Sequence, residues 1–208
     1  MSKTITDLIE ITLTDFVDYV ALAGGKKQTK VVQIKKRDDY GPEKDFYRKL
    51  RERIEDLHKG DHTSDFLHEL LESDLHEHKA NNFPELIDGY LKWINKKDII
   101  WIGPPKAIWS YEQLRVKMNP ELGLLINDLP HIIKLHFKKE PELTTDKVCM
   151  ICNLLEEKFP QHAEAGFEFG VLDVRRSKLF KKDKRKSNLK ALLKGEARSF
   201  ITIWEEVF

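Results

Sequence analysis

Residues 119–138 read NPELGLLINDLPHIIKLHFK. Two apolar runs, LGLLI (122–126) and HIIKLHF (131–137), flank Asn127-Asp128, a pair suited to the tight turn of a two-residue β-hairpin. The spacing predicts a hairpin, with Glu121 at the start of its first strand and Lys138 at the end of its second. Read plainly, Glu121 and Lys138 are then the surface ends of a buried hairpin.

Downstream, TTDKVCMICNLLEEKF (144–159) has helix grammar: Thr144 or Thr145 serves as the cap, and Pro160 follows the last turn. FEFGVLDVRRSKLF (167–180) returns to strand periodicity with room for a further hairpin strand. The chain then closes with a helix over 186–207 that runs through or breaks at Gly195. Just upstream of the hairpin, AIWSYEQLRVKM (107–118) alternates in its second part, and Pro104-Pro105 rules out a continuous helix before it.

The residues before position 98 read differently. GPEKDFYRKLRERIEDLHKG carries Phe46, Leu50, Ile54 and Leu57 on one stripe, and Gly60 stops it. TSDFLHELLESDLHEHKANN repeats the pattern, and FPELIDGYLKWINKK predicts a third amphipathic helix opened by Pro84. TLTDFVDYVALAGG predicts a helix capped by Thr14 and ended at Gly24-Gly25, whereas KQTKVVQIKKR leaves helix and strand both open. A helix, a glycine turn and this basic segment could form a DNA-reading helix-turn-helix, although helical hairpins with glycine turns are common. The expected class is α+β. A mainly helical portion (1–97) precedes an α+β portion (98–208) with a strand-strand-helix-strand core and a mixed sheet flanked by helices, as two domains or as one continuous domain.

A hairpin followed by a helix and a strand, with Pro120-Glu121 at its head and Lys138 at its tail, resembles the restriction-endonuclease-like superfamily, the PD-(D/E)XK fold. The resemblance covers about residues 110–180. It implies Mg²⁺-dependent phosphodiester hydrolysis, with Glu121 as a metal ligand and Lys138 orienting the attacking water. It also places His136 where the family carries its second acid. That is a departure, since an imidazole offers one neutral nitrogen to an ion that prefers hard oxygen. Asp173 on the later strand, or Glu69 or Glu72 on a helix, would have to complete such a metal site.

Net charge is +1 over 208 residues, but the charges are segregated. Residues 55–77 are strongly acidic, whereas 175–198 are strongly basic. Clustered bases attract phosphates by releasing counterions, so Arg175, Arg176, Lys181, Lys182, Lys184 and Arg185 are the expected contacts to DNA or RNA. The alternative is a non-enzymatic module in which the acidic helices and the basic loop dock on a protein partner or on a second copy of the chain.

The two cysteines, Cys149 and Cys152, fall inside an apolar helical run rather than at a helix start, so packing is expected rather than redox or zinc chemistry. Their scarcity, together with acids in the first residues, leads us to expect a cytoplasmic protein. No apolar run approaches the roughly 20 residues of a membrane span. His62, His68, His76 and His78 lie among acids and are expected to form a solvated face, with metal capture through His68 and Glu72 as the alternative.

Overall fold

The computed structural model describes residues 8–37, 45–60, 62–72, 77–140, 142–183 and 189–207, with backbone only for 77–80. In chain order the elements are β1 (Ile9–Thr12), α1 (Leu13–Val20), α2 (Gly25–Lys35), α3 (Arg48–Lys59), α4 (Asp65–Glu72), α5 (Glu77–Ile94), β2 (Ile99–Trp101), β3 (Ala107–Tyr111), β4 (Leu114–Met118), β5 (Leu122–Ile126), β6 (Leu129–His136), α6 (Thr145–Lys158), α7 (Pro160–Glu164), β7 (Glu168–Asp173), β8 (Lys178–Lys181) and α8 (Lys190–Glu206). The fold is α+β.

The opening stretch forms the expected hairpin. Asn127 and Asp128 take φ of 46° and 65°, the two left-handed residues of a type I′ turn, and Ile126 pairs with Leu129. This hairpin sits in a five-stranded sheet of order β2-β5-β6-β7-β8. Its neighbours pair antiparallel except β6 and β7, which run parallel because α6 and α7 carry the chain back across one face.

Side chains alternate across this sheet into two cores. Ile132, Phe169 and Val171 face α6, and that core continues through the three-stranded sheet β1-β4-β3 to α1, α2 and α8. Leu122, Leu124, Ile133, Leu135 and Leu172 point the other way, against α3, α4 and α5. Burial on both faces explains why the strand sequences read as nearly unbroken apolar runs.

The N-terminal portion is neither wholly helical nor self-contained. β1 pairs in parallel with β4, Ile9 lying opposite Leu114, and α1 and α2 belong to the core shared with α6 and α8. KQTKVVQIKKR forms α2, and four of its bases are already engaged: Lys30 and Arg37 pair with Asp15, Lys27 with Glu196, and Lys35 donates to the Trp204 carbonyl. The α1 cap is Thr12, whose hydroxyl accepts from the Asp15 N–H at 3.1 Å, two residues before the expected Thr14.

Pro84 lies inside α5 rather than opening it. A mid-helix proline costs roughly 3 kcal/mol. Fully burying Phe83, Leu86, Ile87 and Tyr90, at roughly 1.5–3 kcal/mol for each large apolar side chain, outweighs that cost.

The helical layer holds one pH-sensitive contact. His58 of α3 meets the fully buried Tyr90 hydroxyl at 2.6 Å, and burial pushes the imidazole pKa down to about 4. The folded protein therefore keeps His58 neutral while the unfolded chain takes up a proton near pH 6.5. Stability from this group is complete above that pH and declines as pH falls toward 4, at about 1.4 kcal/mol per unit and roughly 3 kcal/mol in all. Urea midpoints followed from pH 7 to pH 4 should fall less steeply in His58→Gln than in the parent. Parallel curves would show that His58 titrates alike in both states.

Candidate functional site

Glu121 is buried, 5% exposed, and is not a surface end of the hairpin. It stands just before β5, where its own N–H donates to the Ile133 carbonyl at 3.1 Å. Its carboxylate closes the ladder one step further by accepting the Leu135 N–H at 2.7 Å. The same carboxylate pairs with Lys134 and lies 3.4 Å from Nε of Arg51, which itself reaches Asp45 at 2.7 Å. Glu121 therefore ties α3 to the β5–β6 pair. Lys138 lies four residues beyond Lys134, roughly 13 Å along an extended strand. The structure thus does not bring Glu121 and Lys138 together.

The second polar cluster lies where the parallel strands end. His136 and Asp173 are register partners on β6 and β7, and the Val174 N–H continues the ladder to the His136 carbonyl at 3.0 Å. Asp173 is 4% exposed and accepts the Arg176 N–H at 3.2 Å, with the Arg176 Nε 3.8 Å away. Among the described residues, the Nε2 of His136 is buried without a hydrogen-bond partner. Burial lowers its pKa, reinforced by Lys147 and Lys138 and opposed by Asp173 and Asp18.

Asp18 of α1 holds Lys147 at 2.9 Å and Lys138 at 3.8 Å. Lys147 stands in the first turn of α6, where a cation meets the positive end of the helix dipole, and the Asp18 carboxylate beside it offsets that repulsion. These groups surround a cavity of about 30 Å³. Next to it, sharing Lys138 and Leu143, a cleft of about 190 Å³ is lined by the bases Lys138, Lys139, Arg175 and Arg176 and the acids Glu85, Glu142 and Asp173. Ligands of open α/β sheets characteristically bind at such carboxyl ends of parallel strands.

The basic segment is less free than its sequence suggests. Arg175, with a 9% exposed side chain, donates to the Phe137 carbonyl at 2.9 Å and to Asn82 at 3.0 Å, and pairs with Glu85. It fastens the ends of β6 and β7 to α5. Arg176 pairs with Glu142, Lys181 with Glu168 and Lys182 with Glu156. The first two pairs are exposed and contribute only about 0–1 kcal/mol, so an incoming phosphate can exchange with them, whereas Lys182 is part-buried. Lys184 and Arg185 lie outside the described residues.

The Mg²⁺ implied by the nuclease resemblance does not find a fitting donor set here. Glu121 and Asp173 stand on either side of β6, opposite Lys134 and His136, with backbones roughly 12 Å apart at strand spacing and rise. Each carboxylate is already engaged by cations and backbone N–H groups. Glu69 is engaged by Arg53. Among the described residues no group of three or more His, Cys, Asp and Glu converges as a metal site.

His68 meets Asp88 at 3.5 Å and His62 stacks on Phe66, while His76 and the His78 side chain lie outside what is described. Cys149 and Cys152 are free and buried, and burial raises the Cys152 thiol to about 12, the reverse of an activated thiolate. Lys139, and the acids Glu85 of α5 and Glu142 of the β6–α6 connection, carry no sequence signal of their own. Folding alone brings them together.

Among the described residues no helix is long and apolar enough to cross a membrane. Compared with family models and with the curated proteins, the chain matches none.

Proposed function

We propose that this protein is a nucleic-acid-associated protein with a nuclease-like hairpin–helix–strand core, degenerate in metal-dependent catalysis, that holds phosphate at the ends of β6 and β7. The observation carrying this reading is the convergence of Lys138, Lys139 and Arg176 on one cleft. Lys138 shares its carboxylate, Asp18, with Lys147, so its charge is only partly compensated. In sequence, the residues between β8 and α8 are also rich in bases. A cytoplasmic setting belongs to this reading, supported by two buried free thiols.

Binding of labelled single- and double-stranded DNA and RNA across a salt series, with and without Mg²⁺, tests it. Affinity should fall linearly on logarithmic axes. The double variant Lys138→Gln/Lys139→Gln should flatten that slope by about 2, one for each lost phosphate contact. Mg²⁺ should leave the nucleic acid uncut. Absence of binding at low salt would overturn the reading and leave docking to a protein partner, or to a second copy, as the alternative. Sedimentation at low and high salt would detect the second of these.

A further inference from the structure

The cleft contains an acid that a simple polyanion grip does not need. Asp173 lines it beside Lys138, Lys139 and Arg176, and is buried rather than turned to solvent. A buried carboxylate in an anion site repels any ligand oxygen that carries only charge. It attracts a ligand oxygen that carries a proton. Asp173 takes two contacts from Arg176, and a carboxylate has about four lone-pair directions, so acceptor capacity remains.

We infer that the cleft is a site for a phosphomonoester, such as the terminal phosphate of an oligonucleotide, and discriminates against the internal diester. This rests on the nucleic-acid reading above and names the ligand class of the same site. A phosphomonoester has a second pKa near 6 and three terminal oxygens, so near neutral pH it can present a P–OH to Asp173 while Lys138, Lys139 and Arg176 take the charged oxygens. A phosphodiester has only two terminal oxygens and no proton to offer.

Size and rim charge agree with this assignment. At about 190 Å³ the cleft is smaller than the roughly 300–1,000 Å³ of sites that enclose a drug-sized ligand, yet has room for a phosphoryl group. Glu85 and Glu142 also line it, with side chains 61% and 59% exposed, which places them on its solvent side. A continuous strand would carry its flanking phosphates past those two carboxylates, whereas a chain end need not.

The experiment compares full-length protein binding to short oligonucleotides that differ only in a 5′-phosphate, a 3′-phosphate or hydroxyl ends, with inorganic phosphate, glycerol 3-phosphate and sulfate as competitors. One phosphorylated end should bind about tenfold more tightly than the hydroxyl end, the gain of a charge-assisted hydrogen bond. Inorganic phosphate should compete and sulfate, which carries no proton at this pH, should not. Asp173→Asn preserves an acceptor for the Arg176 N–H but loses the charge, so it should bring the ratio of the two ends toward one and admit sulfate. The exposed Lys139→Gln should weaken the phosphorylated end more than the hydroxyl end, which serves if the Asp173 variant folds poorly.

Equal affinity for phosphorylated and hydroxyl ends, with salt-sensitive binding retained, would overturn the inference and leave the nucleic-acid reading standing. Capture of inorganic phosphate and glycerol 3-phosphate without any oligonucleotide would support the monoester site and overturn the nucleic-acid reading. No binding of any of these probes would overturn both.

Discussion

Glu121→Ala is expected to lower stability by about 3–5 kcal/mol, read as a shift of the urea midpoint with unchanged slope. The carboxylate meets Lys134 and Arg51 and accepts the Leu135 N–H from within a region only 5% exposed. Alanine removes one negative charge and leaves two part-buried cations facing each other, together with an orphaned backbone donor. Leaving such a donor unpaired alone costs about 1–3 kcal/mol. Glu121→Gln separates the two contributions, since its amide oxygen still accepts from Leu135 while the ion pairs are lost; its midpoint should fall between parent and alanine. A variant that keeps the parental midpoint would mean that Glu121 is held for chemistry rather than for the fold.

Gly89→Ala is expected to be comparably severe, about 3 kcal/mol or more. A Cβ built at Gly89 would stand 2.2 Å from the Val174 carbonyl oxygen and 3.2 Å from its carbon. Both obstacles are backbone, so no rotamer relieves them, and α5 would have to move off the end of β7. That movement would open the contact among Leu86, Tyr90, Leu172 and Val174, all fully buried. Against it, alanine gains only about 1 kcal/mol of helix propensity, so the clash wins. The displaced helix would also loosen Arg175 from Asn82 and Glu85, and phosphate binding should weaken with stability. Gly195→Ala on α8 is the control. Among the described residues nothing lies within 4 Å of a Cβ there, and the propensity gain should appear as a slight stabilisation.

The local features were legible in the sequence because they are governed by neighbours along the chain. The Asn127-Asp128 turn, the Thr144 cap, the stripe of Leu50, Ile54 and Leu57 and the burial of Cys149 and Cys152 all follow from short-range grammar. β1 was not legible. Four residues, IEIT, carry too little periodicity, and their partner lies far along the chain. Pro84 gave a misleading start signal because its helix is held by buried side chains rather than by propensity.

The site divides in the same way. Lys138 could be found from the hairpin, but its neighbours Asp18, Lys147 and Asp173 arrive on α1, α6 and β7, an arrangement that spacing cannot encode. Glu121 could be picked out as unusual. Its engagement by Arg51 depends on how α3 packs, and that decided its role.

The pairing of β1 with β4 also constrains the order in which the molecule assembles. Ile9 must wait for Leu114, roughly a hundred positions later, before its hydrogen bonds can form, and the parallel register permits no short turn to guide it. Closing a loop of that length costs entropy before any contact repays it, so such pairings form slowly. The β5–β6 hairpin, joined by two residues, has no such wait. During synthesis the first strand therefore spends its early life unpaired, with Ile9 and Ile11 open to solvent or to a chaperone. Docking of β1 onto β4, rather than the local β3–β4 hairpin, is the expected slow step within the small sheet.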